Sequence, residues 1–196
     1  MQKLLRPLYD WTMRLAAHRH ASWALGIVSF VESSIFPIPP DALLIPMILA
    51  DRRKAWFYAT LCTVTSVIGG VAGYLIGLLL FDSIGKPLLD LYGYGEKFNE
   101  FASRYNEWGA WIVFFAGVTP FPYKVITIAS GVTHLDVWVF MIASVLARGA
   151  RFFAVAALLY VYGPPIRDFI ERRLGLVATV SFALLLGGFL LVRILA

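Results

Sequence analysis

The sequence predicts an all-α integral membrane protein, and its composition is the first reason. Hydrophobic residues make up 60% of the 196 residues and charged residues only 15%, with a mean hydropathy of +0.76. A soluble domain of this length cannot bury so much apolar surface. In addition, long uncharged segments alternate with short polar ones, and two apolar segments are interrupted by prolines. We expect an inverted repeat of a re-entrant helical hairpin plus a transmembrane helix, with an N-terminal amphipathic helix and an extra C-terminal transmembrane helix.

Charge and cysteine content exclude several other classes of protein. The chain has 17 Lys and Arg against 12 Asp and Glu, a formal net charge of +5. In a membrane protein this excess indicates basic cytoplasmic loops, and no basic and aromatic motif for nucleic acid accompanies it. Cys62 is the single cysteine, so a disulfide framework and a thiolate metal site are both excluded. We expect no nucleic-acid partner.

Residues 1–20 predict an amphipathic helix lying on the membrane surface. Leu4, Leu8, Trp11 and Leu15 recur three or four positions apart, and cations occupy positions between them. A frayed basic tail is the alternative. Because charges run throughout this segment without an uninterrupted apolar core, it does not have the pattern of a signal peptide.

Residues 21–50 are apolar but too interrupted to cross a bilayer as one helix. Residues 22–36 would span roughly 22 Å as a helix, against a hydrocarbon core of about 30 Å. A cluster of prolines ends this helix, because each ring removes a hydrogen-bond donor and clashes with the preceding turn. The cluster consists of Pro37, Pro39 and Pro40. Two half-helices joined by a prolyl turn predict a first re-entrant hairpin.

The distribution of cations favours re-entry over a full crossing. If residues 21–50 crossed the bilayer, the cations at 52–54 would lie opposite the basic N-terminal segment. If they re-enter, all of these cations lie on one side, as the positive-inside rule favours. We therefore expect a cytoplasmic N-terminus.

Residues 55–81 carry no charge and predict a transmembrane helix. Within it, three glycines spaced by four predict a ridge for close helix packing rather than a ligand site: Gly69, Gly73 and Gly77.

Residues 82–107 are polar and have fewer cations than acids, which suits the outer side of the membrane. Apolar side chains recur there every three or four positions, so residues 96–108 predict an interfacial amphipathic helix.

Residues 109–133 repeat the architecture of the first hairpin. A short apolar stretch leads into the Pro-x-Pro motif of Pro120 and Pro122, and a second apolar stretch follows. Aligning the two proline motifs places Lys124 on Asp41. We therefore expect a second re-entrant hairpin.

Residues 137–162 and 174–192 predict two further transmembrane helices. One crossing, residues 55–81, separates the two hairpins, so they enter the membrane from opposite faces and the repeat is inverted. Their tips are then expected to meet near the bilayer midplane. Transporters built from broken helices bind their substrates at such repeat interfaces.

Five ionisable residues fall within the predicted membrane segments: Glu32, Asp41, Lys124, Arg148 and Arg151. Each costs about 2.5–3.5 kcal/mol on insertion scales. One interpretation is that the acids only neutralise the arginines. The other is an anion site, in which the three cations bind a phosphate and the two acids exchange protons or other ions. Four neighbouring side chains can donate neutral hydrogen bonds or equally satisfy local backbone: Ser33, Ser34, Thr119 and Tyr123.

Motifs for covalent chemistry are missing from the sequence. It contains no three-ligand metal spacing, glycine-rich phosphate loop or serine nucleophile elbow. An enzyme is therefore the less favoured class, and we expect no cofactor and no metal.

Three motifs resemble the DedA family, also called SNARE-associated or VTT-domain proteins. They are Glu32-x₄-Pro37-x-Pro39-x-Asp41, Gly69-x₃-Gly73-Tyr74-x₂-Gly77, and Phe114-Phe115-x₄-Pro120 through Lys124 and Gly131. The resemblance covers residues 21–162. It implies two re-entrant hairpins in an inverted repeat, and it matches Glu32 and Asp41 to the membrane acids of the family.

Members of that family include lipid flippases and scramblases. Bacterial members are implicated in recycling undecaprenyl phosphate or moving phospholipids, coupled to a proton or sodium gradient. The resemblance thus implies a lipid with a phosphate headgroup as partner. The family has two arginines around the second proline motif, whereas here Lys124 approximates one of them and Arg148 and Arg151 on the next helix replace the charge. This departure suggests the YqaA-like branch.

The sequence therefore favours a flippase or scramblase-like transporter of a phosphate-bearing lipid. An ion-coupled carrier of a small soluble anion and a non-transporting membrane scaffold are the alternatives. The sequence does not identify the lipid, the coupling ion or the direction of transport. It also does not fix the oligomeric state, and a homo-oligomer is one of the alternatives.

Overall fold

A computed structural model describes residues 20–35, 39–119 and 122–172 of the chain. All regular structure in these ranges is helical. Four predicted features lie outside the described residues: the amphipathic helix of residues 1–20 apart from His20, the transmembrane helix of residues 174–192, and the tip prolines Pro37 and Pro120.

The described ranges contain seven α-helices and two short helical segments of other types. In chain order they are α1 (Ala21–Ser34), α2 (Asp41–Ala50), a 3₁₀ turn (Arg52–Lys54), α3 (Ala55–Leu80), a π-helical segment (Phe81–Gly85), α4 (Lys86–Tyr92), α5 (Gly95–Val118), α6 (Tyr123–Val132) and α7 (Val137–Arg172).

Two stretches of helix are long and apolar enough to cross a membrane. They are Arg52–Gly85, with a mean hydropathy of 2.1, and Val137–Gly163, with a mean hydropathy of 1.7. Large apolar side chains on their outer faces are uncovered by the rest of the described structure, for example Leu79 at 67% and Trp138 at 68% exposure. A surface of this kind is stable in lipid rather than in water. Past the second stretch, α7 continues to Arg172 through a non-helical backbone at Tyr162.

The first broken segment, α1 and α2, packs on the N-terminal half of α3. Ser29 of α1 donates to the Cys62 carbonyl at 2.9 Å, and one turn later Ser33 lies 2.7 Å from the hydroxyl of Ser66. Because both positions advance by one turn together, α1 runs parallel to α3. The chain must then return along α2 to reach Ala55, where α3 begins.

The second broken segment, α5 and α6, packs on the C-terminal half of α3. The two helices are antiparallel, since Tyr105 pairs with Ser130 at one end and Gly117 lies against Tyr123 at the other. Ile128 of α6 contacts the far end of α3. The two broken segments therefore approach the middle of α3 from its opposite ends.

The predicted boundary between an interfacial helix (96–108) and the second hairpin (109–133) is not seen. Instead, α5 is one helix of 24 residues from Gly95 to Val118. Gly109 does not interrupt it, because this glycine is buried against Leu135. The change from polar to apolar composition near Trp108 reports a change of environment along the helix, not a break in its backbone hydrogen bonds.

The glycine ridge of α3 allows both broken segments to approach closely. A Cβ at Gly69 would clash with the carbonyl oxygen of Phe30 in α1, and a Cβ at Gly77 with that of Ile128 in α6. At Gly73 a Cβ would meet the hydroxyl of Thr127. One face of α3 thus receives backbone from both segments at distances that only glycine permits.

Two buried apolar clusters occupy opposite ends of the bundle. The first joins the N-terminal ends of α1 and α3 to α2 and to Phe152 of α7. The second joins Tyr74 of α3 to Val113 and Phe140 of α5 and α7. Between these clusters, halfway along α3 and α7, the tips of the broken segments bring polar and charged groups together.

Candidate functional site

The tips of the two broken segments touch through hydrogen bonds from α6 to the end of α1. Lys124 Nζ donates to the Ile35 carbonyl at 3.1 Å. The hydroxyl of Thr127 is shared between the Ser33 carbonyl at 3.1 Å and the Lys124 carbonyl of its own helix at 2.9 Å. The Ile35 and Ser33 carbonyls both lie at the C-terminal end of α1, where a helix leaves acceptors without partners of its own. Side chains of the second segment thus cap a helix of the first.

Arg148, near the centre of the long apolar helix α7, is completely buried at 0% exposure. Its Nη2 donates to Glu32 Oε2 at 2.7 Å, and its Nε donates to Ser66 Oγ at 2.6 Å. Its guanidinium carbon lies 4.8 Å from the ring centroids of both Tyr123 and Phe152. The two rings contact the cation favourably, and with the two hydrogen bonds they hold the guanidinium in one orientation.

One nitrogen of this guanidinium has no partner in the described structure. Arg148 Nη1 is buried and makes no hydrogen bond, and the same is true of Oδ1 of Asp41 nearby in the site. A buried donor without a partner costs about 1–3 kcal/mol, so such groups are uncommon and call for a physical reason. An anion entering the site would give Arg148 Nη1 the acceptor that it lacks.

Two serines close a ring between the arginine and its acid. Ser66 Oγ lies 2.7 Å from Ser33 Oγ, which in turn lies 3.2 Å from Glu32 Oε2 and 3.0 Å from the Ser29 carbonyl. Because Ser66 accepts from Arg148, its own proton is free to point at Ser33. The proton of Ser33 then has two acceptors, the carboxylate and the helix carbonyl.

A second ion pair joins the tips of the two segments. Arg151 Nη2 donates to Asp41 Oδ2 at 2.5 Å, and Arg151 Nη1 donates to the Thr119 carbonyl at 3.0 Å. The two charged side chains are 19% and 21% exposed, so this pair is less buried than the first. Asp41 lies in the first turn of α2, where the helix dipole favours a negative charge.

All five charged residues of the sequence analysis lie at this junction. Glu32 and Asp41 pair with Arg148 and Arg151 respectively. Lys124 contacts the Ile35 carbonyl instead of an acid. Two acids and three bases leave a formal charge of +1.

The neutral residues predicted to support the site divide into two groups. Ser33 belongs to the ring with Glu32, and Tyr123 stacks on Arg148 while its hydroxyl donates to Ser144. By contrast, the hydroxyls of Ser34 and Thr119 bond to carbonyls of their own helices. Among the prolines within the described residues, Pro39 and Pro40 precede α2 and Pro122 precedes α6, positions where a fixed φ favours helix initiation.

Sequence reasoning missed three residues that complete the site: Ser66, Thr127 and Phe152. Ser66 precedes Gly69 by three positions and so shares its helix face, which was the one available signal. A serine or threonine in an apolar helix usually bonds to its own backbone, as Thr63 does here and as Thr127 does in part, so the residue type alone could not identify Ser66 or Thr127. Phe152 is one of 15 phenylalanines. Within the part of the chain that the structure describes, no three His, Cys, Asp or Glu form a metal-binding group.

Comparisons with known proteins match most of the chain. The VTT domain model matches residues 38–161, which include Asp41 and both arginines of the site. An uncharacterized protein of Haemophilus influenzae is 39% identical over 156 residues, covering 80% of this chain and 81% of that protein. A relative in Histophilus somni, also called uncharacterized, is 40% identical over 156 residues with the same coverage. No solved structure matches the chain.

Proposed function

Because the chain belongs to the VTT-domain family, also called the DedA family, we propose that this membrane protein moves a phosphate-bearing lipid across the bacterial inner membrane. Undecaprenyl phosphate and phospholipids are the candidate substrates. Arg148, Arg151 and Lys124 bind the phosphate, and Glu32 and Asp41 couple its movement to protons or sodium ions. The proposal involves transport without a covalent step.

The observation that carries this proposal is the incomplete pairing of a fully buried arginine. Arg148 is held by Glu32, Ser66 and two aromatic rings, yet its Nη1 has no acceptor. A structural ion pair would need every donor satisfied to offset the cost of burying the charge. A guanidinium with a free edge suits a phosphate, whose oxygens accept parallel hydrogen bonds from arginine.

Exchange of partners provides a mechanism for coupling. In the conformation described, each arginine binds a carboxylate. A phosphate that binds the arginines takes the place of those carboxylates, and burial penalises any carboxylate left unpaired. Uptake of a proton or a sodium ion by Glu32 or Asp41 removes that penalty. Phosphate binding at the arginines and cation binding at the acids therefore favour each other.

Apolar surface on the first broken segment favours a lipid over a soluble anion as the substrate. A groove of about 470 Å³ lies between α1 and α3, where Trp23, Ile27 and Leu61 are among its lining residues. It reaches Phe30, on the side of α1 away from Glu32, because residues two apart on a helix point in nearly opposite directions. A lipid headgroup that reaches the arginines can leave its hydrocarbon chains in the surrounding bilayer.

Alternating exposure of the site follows if the two hairpins are re-entrant. Hairpin tips that meet at the centre and enter from opposite faces can each open the site to one side. The contacts of Lys124 and Thr127 with α1 would break when one tip moves away from the other. We place the N-terminus and the 3₁₀ turn Arg52–Lys54 on the cytoplasmic side, because of their positive charge.

Reconstituted vesicles provide the test. Purified protein in liposomes should accelerate the movement of a fluorescently labelled phospholipid headgroup between leaflets, as measured by quenching with a membrane-impermeant reductant. Arg148→Lys should slow it at least tenfold, because lysine keeps the charge but loses the fork and the ring stacking. Arg104→Lys, in an exposed pair with Glu100, is the matched control and should leave the rate unchanged.

Two outcomes would contradict the proposal in different ways. Transport by Arg148→Lys at the parent rate would show that the phosphate does not bind there. Uptake of labelled inorganic phosphate without any movement of lipid would identify a carrier of a soluble anion.

A further inference from the structure

A polar pocket lies at the end of the bundle opposite the Arg52–Lys54 turn, well away from the central site. It has a volume of about 350 Å³ and is enclosed by four elements: the π-helical segment, α4, the first half of α5 and the turn after α6. Between Ser66 and Phe81 the helix rises by roughly 22 Å, so a ligand bound here is separate from one bound at Arg148. Its volume is in the range of small-molecule sites.

Two exposed side chains in the lining of this pocket are hydrogen-bond donors without a partner among the described residues. Lys86 and Asn99 both line it, and neither side chain makes a hydrogen bond or an ion pair to any other described residue. An ammonium offers three donors and a primary amide offers two. The residues that line the pocket include no Asp or Glu, and Asp82 beside it contacts His134 and not Lys86 or Asn99.

His134 adds a polar ring that its surroundings hold in place. Its backbone has a φ of 56°, a left-handed conformation that is uncommon for residues other than glycine. Its Nε2 lies 3.5 Å from Oδ1 of Asp82, and Phe81 meets the ring edge-on at 5.9 Å between centroids. Asp82 and Phe81 both belong to the π-helical segment, an irregularity that frequently marks functional sites in helices.

Part of the lining is apolar, which suits the hydrocarbon part of a ligand. Phe81 and Phe98 stack at 4.5 Å between ring centroids, and Leu89 also lines the pocket. Polar donors next to stacked rings match a molecule that carries both a phosphate and a carbon chain.

We propose that this pocket is a second anion site, in which Lys86, Asn99 and His134 bind a phosphate group. The ligand is either the headgroup of a lipid at the membrane surface or a free phosphate. The inference does not rest on the proposed transport activity, because it concerns equilibrium binding at residues that take no part in the central site.

Calorimetric titration of the protein in alkyl maltoside micelles, which contain no phosphate, tests this assignment. Inorganic phosphate and dihexanoyl phosphatidic acid are the two probes. We expect the parent to bind at least one of them and Lys86→Gln to bind it about tenfold more weakly, the effect of losing one charged hydrogen bond. Lys97→Gln is the matched control, because Lys97 is an exposed cation of the same region that does not line the pocket.

The pattern of binding distinguishes the source of the phosphate. If only the short-chain lipid binds, the site recognises a headgroup with its chains; if inorganic phosphate binds equally well, the phosphate alone is sufficient. The loss caused by Lys86→Gln should persist in an Arg148→Lys background, which separates this pocket from the central site. Asn99→Leu replaces the amide with an apolar side chain of similar size and should also weaken binding. It takes the place of Lys86→Gln if that variant does not fold.

Two results would overturn the assignment. One is a parent protein that binds neither probe. The other is an equal loss for Lys86→Gln and Lys97→Gln, which would mean that surface charge in general, and not this pocket, attracts the anion.

Discussion

At the scale of single residues, the energetics of the site depend on Arg148. Moving a guanidinium from water into a protein interior costs several kcal/mol, and one carboxylate rarely offsets that cost alone. Here Glu32 is joined by Ser66 and by the faces of Tyr123 and Phe152. The charge is therefore tolerated because two hydrogen bonds and two ring faces engage the planar group, while its Nη1 has no partner.

We expect Arg148→Gln to destabilise the protein by about 3–5 kcal/mol, because it leaves the Glu32 carboxylate buried without its cation. Glu32→Gln should be milder, since an amide oxygen still accepts from Arg148 Nη2. Thermal unfolding in micelles, followed by tryptophan fluorescence, measures both. Arg104→Gln removes an exposed cation whose side chain is 77% exposed and should have no measurable effect; a similar loss for the two arginines would refute this account of Arg148.

Ser66 is expected to matter almost as much as the ion pair that it supports. Ser66→Ala removes the acceptor of Arg148 Nε, and an unpaired buried donor costs about 1–3 kcal/mol. Denaturant unfolding of the variant compared with Ser83→Ala tests this. Ser83 is exposed and bonds only to carbonyls of its own helix, so its substitution should be close to neutral. Equal stability of the two variants would mean that Ser66 does not hold the arginine.

At the scale of helices, the prolines and glycines determine how the broken segments are placed. The prolines end α1 and precede α2 and α6, which leaves helix termini in the middle of the bundle. The glycines of α3 then admit the backbones of α1 and α6 to that helix. The prolines and the glycines both act through backbone geometry, and together they bring the charged side chains within contact distance of one another.

Gly69→Ala should destabilise the protein by about 1–3 kcal/mol, because the added methyl group overlaps the carbonyl of Phe30 and forces α1 away from α3. Gly149→Ala is the matched control. A Cβ at that position would meet only a methyl group of Thr63 at 3.8 Å, and alanine is favoured over glycine within a helix. We expect Gly149→Ala to be neutral or stabilising in the same unfolding measurement. If Gly69→Ala does not change the free energy of unfolding, α1 and α3 do not approach each other this closely.

At the scale of the whole molecule, the decisive feature is that the two broken segments meet α3 from opposite ends. Ser29 and Ser33 lie along its first half, and Ile128 lies at its far end. If α3 crosses the membrane, the two segments enter from opposite faces. The site then lies near the middle of the membrane, where movement of either segment can open it to one side. The two ion pairs of the site connect the two halves of the bundle at that depth.

Labelling of introduced cysteines with a membrane-impermeant maleimide tests whether the first segment re-enters. In a Cys62→Ala background, Ser22→Cys and Arg53→Cys should both react only from the cytoplasmic side, and Lys97→Cys only from the outer side. Cys62 is the single cysteine of the chain, so its removal leaves no native thiol to react. Reaction of Ser22→Cys and Arg53→Cys from opposite sides would mean that residues 21–50 cross the bilayer, and the inverted arrangement would fail.

Much of this architecture could be predicted from local features of the chain. The ends of α1 and the start of α2 follow from the prolines, and the length of α3 from its uncharged residues, because sterics and backbone hydrogen bonds act within a turn or two. The continuity of α5 could not be predicted in that way. Its polar half and its apolar half differ in surroundings but share one helical backbone from Gly95 to Val118.

Composition, proline positions and glycine spacing are enough to predict which charges enter the apolar region, where its helices break, and which face of α3 carries the glycines. The partners of those charges depend on the fold. Glu32 and Arg148 are 116 positions apart, and Asp41 and Arg151 are 110 apart. Which acid meets which arginine depends on the rotation and height of α7 against α1 and α2, and packing of the two apolar clusters sets both. The same packing turned Lys124 toward the Ile35 carbonyl and left Arg148 Nη1 without an acceptor.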